Sequence, residues 1–408
     1  MTRRRTARAS DDVWASRRRH PTAVPVRVPR PAKLFLALLA VVGALNLLGL
    51  VMVLSASSVS ALDRYGSAWY VVMRQGLWLL AGTVACVVVI RVDYHRWRRW
   101  SVPALAVSGV LLALVLVPGI GVSVNGATRW LGYGSFSLQP SELAKLTVLL
   151  FVADLLARRA AWMSDVRLTL VPTAVVFGVV ALLLMLQPNL GTTIVMGSIV
   201  LSLLWVAGTP FIPLAGLTTA GALVAGALAL WAPYRRARVL SFLDPWSDYQ
   251  NTGYQGIQSL VGVASGGLTG TGLGESRAKW GFLPEAHTDF IFAIIGEELG
   301  LVGTLLVVGL FVALCVLGAR AALLAPDRLG MLLAAGITMW FGAQAFVNIG
   351  AVIGILPITG VPLPFVSYGG SSLLFSMIGA GLLLNVARQS GQPARRPVPR
   401  RATTASRR

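Results

Sequence analysis

The chain has 408 residues, of which 56% are hydrophobic and only 12% are charged, with a mean hydropathy of +0.73. So few charges cannot cover the surface of a water-soluble domain of this size, and the composition excludes that class of protein. Apolar runs of about 20 residues, each long enough to cross a roughly 30 Å hydrocarbon layer, recur along the chain and predict a polytopic membrane protein.

The chain begins with a basic segment. Residues 1–33 hold ten Lys and Arg residues, several prolines and few large apolar side chains, which predicts a disordered tail. The apolar run that follows is too long for the core of a signal peptide, so we interpret it as the first membrane span. Residues 389–408 form a second basic tail of the same kind.

Between the tails, the apolar runs predict an all-α polytopic membrane protein with one membrane domain over residues 34–388 and ten transmembrane helices. Two long polar segments, residues 119–140 and 233–289, separate some of the runs. The predicted spans are residues 34–55, 70–90, 101–118, 141–157, 168–186, 191–208, 212–232, 290–318, 330–350 and 369–387.

The distribution of Lys and Arg orients these spans. With both termini in the cytoplasm, 26 of the 35 Lys and Arg residues lie on the inner side, as the positive-inside rule requires. The net charge of +20 is therefore mainly a topology signal. No aromatic-interleaved nucleic-acid motif accompanies these charges, so we expect no nucleic acid as a partner. Cys86 and Cys315 fall inside apolar runs and are predicted to be buried thiols.

Nine basic residues oppose this bias because they lie on the outer side. They are Arg64, Arg74, Arg129, Lys145, Arg235, Arg236, Arg238, Arg277 and Lys279. Arginine on the outer face of a membrane suits an anionic headgroup, above all a phosphate or pyrophosphate. Snorkelling of the side chains to the lipid interface would explain the same charges.

The fourth span begins "QPSELAK", in which Glu142 and Lys145 lie three residues apart and share one helical face. An ionisable residue inside a span costs about 2.5–3.5 kcal/mol on insertion scales unless it is paired or faces a cavity. We therefore expect these two side chains to pair, either as a structural ion pair or as a pair that faces a functional cavity.

The stretch "LPEAHTDFIFAIIGEELG", residues 283–300, carries four acidic residues at the start of an apolar run. Asp289 is predicted at the beginning of a helix, where the helix dipole would favour the ionised carboxylate. A plain helix cap is the alternative interpretation of Asp289. Capping does not explain Glu297, about 12 Å deeper along the helix, or Glu298; both need internal partners or a polar cavity.

Two segments rich in Gly and Pro complete the outer face. Residues 265–276, "SGGLTGTGLGES", lack the strand and helix of a dinucleotide fingerprint and are predicted to be a turning outer loop. Residues 354–372, "GILPITGVPLPFVSYGGSS", break the helical pattern at membrane depth. Such backbone is tolerated only where protein or water satisfies it, so we expect the segment to line a groove on the outer face.

Four longer motifs resemble those of one family: "NGATRWLGYGSFSLQPSELAK" (125–145), "YRRARVLSFLDPWSDYQNTGYQGIQSLVGVASGGLTGTGLGES" (234–276), "LPEAHTDFIFAIIGEELG" (283–300) and "NIGAVIGILPITGVPLPFVSYGGSS" (348–372). They are similar to motifs of the SEDS family (shape, elongation, division and sporulation), over about residues 34–388, and most similar to its division branch. One departure is Asn189, where the family usually has Asp, so a charge-dependent role at that position is doubtful.

The resemblance implies a ten-helix fold with both ends in the cytoplasm and a glycosyltransferase of the bacterial cytoplasmic membrane that acts at the division septum. Members of the family polymerise lipid II into peptidoglycan strands beside a class B penicillin-binding protein, which cross-links them, and other division proteins. The essential acidic residue in the fourth outer loop of the family corresponds to Asp289.

The predicted mechanism is an inverting displacement in which Asp289 takes the proton of the attacking hydroxyl. The candidates for binding the substrate and its pyrophosphate are Arg129, Glu142, Lys145, Arg235, Arg236, Arg238, Arg277, Lys279 and His287. Glu285, Glu297, Glu298 and Ser367 are predicted to support them. A divalent cation, Mg²⁺ or Mn²⁺, could share the pyrophosphate, with Asp289 or Glu142 as an oxygen ligand.

Three other functions remain as alternatives: a lipid II transporter (flippase), a polymerase of the elongation branch, and a non-catalytic scaffold of the division complex. A transporter would depend on a carboxylate deep in the membrane, such as Glu297, whereas a polymerase would depend on Asp289. A scaffold would depend on neither. The polar residues gather at the outer mouth and no internal repeat is visible, which favours the enzyme.

Overall fold

The computed structural model describes residues 31–124, 126–133, 136–231 and 233–390. The predicted disordered stretches 1–30 and 391–408 lie outside the described residues. Residues 31–33, predicted to belong to the first tail, already form the start of a helix.

The described part is built almost entirely from helices. In chain order these are α1 (Pro31–Tyr65), α2 (Tyr70–Arg91), α3 (Tyr94–Trp97), α4 (Ser101–Val115), α5 (Pro140–Arg158), α6 (Leu170–Leu186), α7 (Leu190–Ala207), α8 (Phe211–Trp231), α9 (Pro233–Leu243), α10 (Tyr254–Ser265), α11 (Ile291–Leu323), α12 (Arg328–Val352) and α13 (Gly370–Gln389). The segment 233–289, predicted as a polar outer loop, therefore contains two helices of its own.

Each of the ten predicted spans has a helix in its place. Eight helical stretches are long and apolar enough to cross a membrane, which makes the described part a multi-pass membrane domain. The other two are α6, which has only 17 residues, and α5. The helix α5 carries four charged side chains along its 19 residues, so its crossing and that of α6 stay predictions.

The first helix ends at Tyr65 rather than at residue 55. The predicted span ended where serines begin to interrupt the apolar run. The Ser57 and Ser58 hydroxyls instead donate hydrogen bonds to helix carbonyls, at 2.7 and 3.0 Å, and the helix continues. This extension carries Arg64 to the outer face.

The outer segment 119–140 folds into a small antiparallel sheet, which corrects the all-α prediction. Its strands are β1 (Gly121–Val124), β2 (Ala127–Tyr133) and β3 (Phe136–Leu138), in the order β1-β2-β3. The dipeptide Asn125-Gly126 is a strong signal for a two-residue hairpin turn, which requires positive φ, and Gly126 has φ 76°. Strand β2 carries Arg129.

The long helix α11 is broken at Gly300, which has φ 63° and ψ −159°. The glycine-rich outer segment packs into the break, where the Leu301 amide donates to the Gly267 carbonyl at 2.9 Å. A Cβ on Gly300 would lie 2.4 Å from the amide nitrogen of Gly270. The break therefore needs glycine both for its backbone angles and for its space.

The segment between α12 and α13, residues 353–369, contains neither helix nor strand, as the Gly and Pro content predicted. Neighbouring side chains satisfy part of its backbone: Asn348 donates to the Val361 carbonyl at 2.8 Å, and Gln75 donates to the Ser367 carbonyl at 3.2 Å. The expectation that protein supports this irregular backbone is confirmed.

Candidate active site

A cavity of about 1030 Å³ lies on the side of the domain where the outer segments meet, which is the outer face in the predicted topology. The end of α1, the start of α2, strand β2, helix α9, the residues before α11 and the irregular segment 353–369 all contribute to its wall. Its polar lining residues include Arg64, Arg74, Arg129, Gln139, Arg238, Gln255, Glu285, His287, Thr288, Asp289, Tyr368 and Ser372.

The structure brings five of the predicted site residues to this cavity: Asp289, Glu285, His287, Arg129 and Arg238. It places eight others away from the described residues that line it: Glu142, Lys145, Arg236, Arg277, Lys279, Glu297, Glu298 and Ser367. The backbone of Arg235 lies in α9, but its side chain lies outside the described part of the structure.

Asp289 lies two residues before α11 begins, so it is not a residue of the helix itself. Its backbone carbonyl accepts a hydrogen bond from the Asn348 amide at 2.8 Å. Its carboxylate, in contrast, accepts no hydrogen bond from any residue that the structure describes. An acidic side chain that faces a cavity without fixed donors is available to take a proton from a ligand.

Burial raises the pKa of Asp289 to about 6, and the negative charge of Glu285 adds to the increase. The guanidinium groups of Arg238 and Arg129 act in the opposite direction and limit it. Loss of hydration outweighs the favourable charges, so this carboxyl is a weaker acid than an ordinary aspartate.

Glu285 is held in a strained turn immediately before Asp289. It has φ 58°, a left-handed conformation that non-glycine residues rarely adopt. The Thr288 hydroxyl donates to its carboxylate at 2.8 Å, and the Thr288 amide donates to its carbonyl at 3.1 Å. This turn directs both acidic side chains towards one cavity, and such strain is typical of functional sites.

The two arginines that affect Asp289 come from distant parts of the chain. Arg129 donates through Nε to the Gln187 carbonyl at 3.1 Å and through Nη2 to the Pro188 carbonyl at 2.5 Å. Arg238 donates to the Ile358 carbonyl at 3.3 Å. Backbone carbonyls thus hold both guanidinium groups at the cavity wall, where they can also meet an anionic ligand.

Sequence reasoning missed three lining residues as site candidates: Arg64, Arg74 and Tyr368. The two arginines already stood out as outer cations, but nothing in the sequence linked them to Asp289. The ring of Tyr368 lies 5.6 Å from that of His287. Burial lowers the pKa of His287, with Arg64 as a further cause, and raises the pKa of Tyr368, so both are neutral at pH 7.

Glu142 and Lys145 do form the predicted ion pair, at 2.9 Å, with each side chain only 1–2% exposed. Lys145 also donates to Gln344 at 2.7 Å and lies over the ring of Trp340. The pair is enclosed within the helical core. Of the two interpretations, this placement supports the structural ion pair, and it corrects the prediction that Glu142 and Lys145 bind the substrate. It also leaves Glu142 away from any cation held in the cavity.

Glu297 and Glu298 have internal hydrogen-bond partners, which is one of the two environments predicted for them; the other was a polar cavity. Glu297 accepts hydrogen bonds from the Ser276 hydroxyl at 2.5 Å and from the Arg277 and Ala278 amides at 2.8 and 3.3 Å. Glu298 accepts from Ser55 at 2.6 Å. The Glu297 carboxylate thus holds the end of the glycine-rich outer segment against α11, whereas the Glu298 carboxylate ties α11 to α1.

Lys279 completes this arrangement from the outer segment. Its ammonium group lies 3.9 Å from the Glu298 carboxylate and donates to the Gly274 carbonyl. Arg277 is exposed and contributes its backbone amide rather than its side chain. Neither cation is in place to bind a ligand in the cavity.

Ser367 and Asn189 have local structural roles. The Ser367 hydroxyl accepts from the Leu363 amide at 2.8 Å and stabilises a turn of the irregular segment. Asn189 caps α7: its side-chain oxygen accepts from the Thr192 amide at 3.4 Å. A neutral carboxamide makes this cap as well as a carboxylate would, so the departure at this position leaves the fold intact.

The residues at the cavity do not form a complete cation site by themselves. Among the described residues, no group of three or more His, Cys, Asp or Glu side chains is arranged to hold a metal ion. Asp289 and Glu285 supply carboxylate oxygens, the ligand type that Mg²⁺ accepts, but Mg²⁺ usually takes most of its ligands from water and substrate phosphates.

Comparisons with known proteins agree with this architecture. Residues 35–392 match the model of the cell cycle protein family FtsW/RodA/SpoVE. A probable peptidoglycan glycosyltransferase FtsW of Geobacter metallireducens is 42% identical over 88% of this chain and 96% of its own length. The stage V sporulation protein E of Bacillus subtilis is 43% identical over 84% of this chain and 94% of its own.

A solved structure has the same fold. It is that of a peptidoglycan synthase complex that coordinates polymerization and crosslinking. Its matching chain superimposes with a TM-score of 0.71 at 32% identity, covering 87% of this chain and 98% of that chain.

Proposed function

The chain belongs to the FtsW/RodA/SpoVE family and is a peptidoglycan glycosyltransferase of the FtsW type; from this premise we propose that it polymerises lipid II in the outer cavity, with Asp289 as the base. The observation that carries the proposal is the Asp289 carboxylate, which has no hydrogen-bond donor among the described residues and faces a cavity rich in arginine. A septal location during cell division is part of the same proposal and is supported by the similarity to FtsW relatives.

The reaction is a single displacement. The sugar 4-hydroxyl of one lipid II attacks the anomeric carbon of the sugar on another, a carbon–oxygen bond forms, and the bond to the lipid pyrophosphate breaks. The hydroxyl proton passes to Asp289, and the electron pair of the broken bond leaves with the pyrophosphate. No covalent enzyme intermediate is needed, so one carboxylate is sufficient and the anomeric configuration inverts.

The pKa of Asp289 suits this role. A carboxylate with a pKa of about 6 is mostly deprotonated at neutral pH, yet it is a stronger base than an ordinary aspartate. General bases are most effective when their pKa lies close to the working pH, and they contribute about 10²–10⁴-fold to the rate.

The four lining arginines come from separate elements and can hold two lipid pyrophosphates, as a polymerase requires. Arg129 and Arg238 lie close enough to Asp289 to affect its pKa, so they suit the pyrophosphate that leaves. Arg64 and Arg74 line the wall formed by α1 and α2 and suit the pyrophosphate of the attacking lipid II. A divalent cation held between Asp289 or Glu285 and the leaving pyrophosphate would neutralise further charge.

A class B penicillin-binding protein is the proposed partner. The similar solved structure is that of a synthase complex in which polymerization and crosslinking are coordinated, and this supports such a partner here. Other division proteins belong to the same proposal.

A lipid II transporter is not favoured. Glu297 is the carboxylate that such a transporter would use, but all its described contacts hold the outer segment in place. The chemistry-bearing residues gather instead at the outer cavity.

The test uses the purified protein with its cognate penicillin-binding protein, whose transpeptidase is blocked, together with lipid II and Mg²⁺ or Mn²⁺. Glycan products are separated on a gel for the wild type, Asp289→Asn and the control Glu275→Gln, which removes an exposed acid of the same outer segment. Polymer from the wild type and the control, and none from Asp289→Asn, is the expected result.

Polymer from all three proteins would remove Asp289 as the base. Absence of polymer from the wild type, combined with movement of lipid II across vesicle membranes, would instead establish the transporter.

A further inference from the structure

One face of α12 carries a row of buried polar side chains that the proposed chemistry does not use. Trp340, Gln344 and Asn348 are spaced by four residues, so they lie above one another along the helix. All three are at most 2% exposed. Polar groups buried in this way are costly unless they are hydrogen-bonded, so their partners show what the row holds in place.

Asn348 is the member nearest the cavity. Its amide nitrogen donates to two backbone carbonyls, that of Asp289 and that of Val361, both at 2.8 Å. One carboxamide therefore joins the residues before α11 to the irregular segment 353–369. These two pieces of chain have no regular secondary structure at this point. One backbone hydrogen bond, from the Tyr368 amide to the His287 carbonyl at 2.9 Å, also joins them, and the Asn348 carboxamide supplies the contact at Asp289 itself.

The same two pieces meet beside the carboxylate of Asp289. A Cβ on Gly360 would lie 3.4 Å from Oδ2 of Asp289, so the backbone next to Val361 is in van der Waals range of the proposed base. A change in the spacing that Asn348 sets would therefore move the wall against which this carboxylate rests.

Gln344, one turn further along α12, holds the irregular segment from a second point. It donates to the Pro362 carbonyl at 2.8 Å. Its side-chain oxygen accepts from Lys145 at 2.7 Å and from Trp340 at 2.8 Å. The buried pair of Lys145 and Glu142 thus orients the carboxamide of Gln344, which gives this enclosed ion pair a connection to the site.

We propose that Asn348 is a positioning residue for the base: its carboxamide fixes the Asp289 backbone against the irregular segment, and Gln344, oriented by Lys145, keeps that segment in register. The inference rests on the proposed role of Asp289 and adds the residues that hold it. A displacement of about 1 Å in a catalytic group can cost about 10²-fold in rate, so positioning by a backbone contact has a measurable consequence.

The chain offers a matched control for packing. Asn385 of α13 is also fully buried, and its amide nitrogen also donates to two backbone carbonyls, those of Val89 and Val92, at 2.7 and 2.5 Å. Those contacts lie near the ends of α2 and α13 opposite the cavity. Exchanging either asparagine for leucine removes two hydrogen bonds to backbone carbonyls at similar volume. Asn385→Leu also removes the acceptor of a hydrogen bond from Gln389 at 2.7 Å, so its structural damage is at least as large as that of Asn348→Leu, while its contacts lie away from Asp289.

The experiment measures kcat and KM for lipid II, and the pH dependence of kcat, for Asn348→Leu, Asn385→Leu and Asn348→Gln in the complex with the penicillin-binding protein. Asn348→Leu is expected to lower kcat about 10–100-fold with KM within about twofold, whereas Asn385→Leu stays within about threefold of wild type. Asn348→Gln keeps the donors on a longer stem and is expected to fall between the wild type and Asn348→Leu.

The midpoint of the pH profile of kcat distinguishes positioning from packing, because loss of packing alone would not change it. The charged groups facing Asp289 are Glu285, Arg129 and Arg238. If Asn348→Leu shifts the carboxylate relative to them, the midpoint of the kcat profile moves, whereas Asn385→Leu leaves it in place. Equal losses in the two leucine variants, or an unchanged midpoint in Asn348→Leu, would overturn the inference. Wild-type turnover by Asp289→Asn in the same assay would instead refute the proposed base.

Discussion

Two groups of carboxylates lie within a stretch of 14 residues, 285–298, and they differ in the hydrogen-bond donors that surround them. Glu297 is 3% exposed and accepts three hydrogen bonds from the outer segment, so its charge is fully compensated. Asp289 lies at the cavity, and its carboxylate accepts none from the described residues. Seven apolar residues, 290–296, separate the two environments, a distance of about two helical turns.

The comparison shows that donors, rather than depth or proximity to a helix start, decide what each carboxylate can do. Backbone amides and a hydroxyl hold the Glu297 carboxylate in place and give it a structural task. Asp289 is dehydrated without such donors, and therefore its pKa rises to about 6. The first arrangement favours stability, and the second favours proton transfer at some cost in stability.

The largest expected effect is the loss of polymerisation when Asp289 is exchanged for its amide. Asp289→Asn should lower polymerisation by about 10²–10⁴-fold because it removes the base. The unfolding temperature of Asp289→Asn at pH 7 should equal or exceed that of the wild type. A carboxylate whose pKa is raised on folding destabilises the folded state at pH values above that pKa, and the uncharged amide removes this cost. Product gels and thermal unfolding in detergent measure both quantities; a clearly lower unfolding temperature would contradict the comparison.

The next effect concerns stability. Glu297→Ala leaves the Ser276 hydroxyl and two backbone amides buried without their acceptor, and each such loss costs about 1–3 kcal/mol. We expect the free energy of unfolding to fall by about 3 kcal/mol or more. Glu275→Ala, an exposed acid of the same outer segment, is the control and should change it little. Similar unfolding curves for the two variants would show that the outer segment does not depend on Glu297.

A smaller effect is expected at the arginines. Arg129→Ala should lower kcat/KM for lipid II by about 10–100-fold, the value of one or two charge-assisted hydrogen bonds, without unfolding the protein. Arg277→Ala removes an exposed outer arginine that does not line the cavity and should leave the kinetics nearly unchanged. Polymerisation at the wild-type rate by Arg129→Ala would remove this residue from the site.

The smallest effect is a shift in pH dependence. The base works when deprotonated, so kcat/KM should rise about tenfold per pH unit below about 6 and become flat above it. Glu285→Gln should move the midpoint to lower pH, because the negative charge of Glu285 raises the pKa of Asp289. Rate profiles between pH 5 and 8, with Glu275→Gln as the control, measure the shift. A midpoint that stays in place in Glu285→Gln would show that the two acids do not interact.

Much of the fold was readable from the sequence because lipid imposes simple rules. Apolar length and the Lys and Arg asymmetry predicted ten helices, and each has a counterpart in the structure. The hairpin at residues 121–133 was missed, although Asn125-Gly126 signals it, because a short sheet over a membrane domain has no hydropathy pattern of its own. The extension of α1 was missed because apolar run length does not register serines whose hydroxyls bond back to carbonyls of their own helix.

The sequence by itself determined that this is a multi-pass membrane protein with an acidic cluster and opposing cations on its outer side, since each of these is a property of composition along the chain. Only the tertiary structure decided which of those charges meet. Folding brings Asp289 into one cavity with arginines far away in the sequence and buries the ion pair of Glu142 and Lys145 in the helical core. It also places backbone amides of the outer segment where they donate hydrogen bonds to Glu297. The physical reason is that charge and hydropathy are local quantities, whereas a pKa and a hydrogen-bond partner depend on groups that folding brings together.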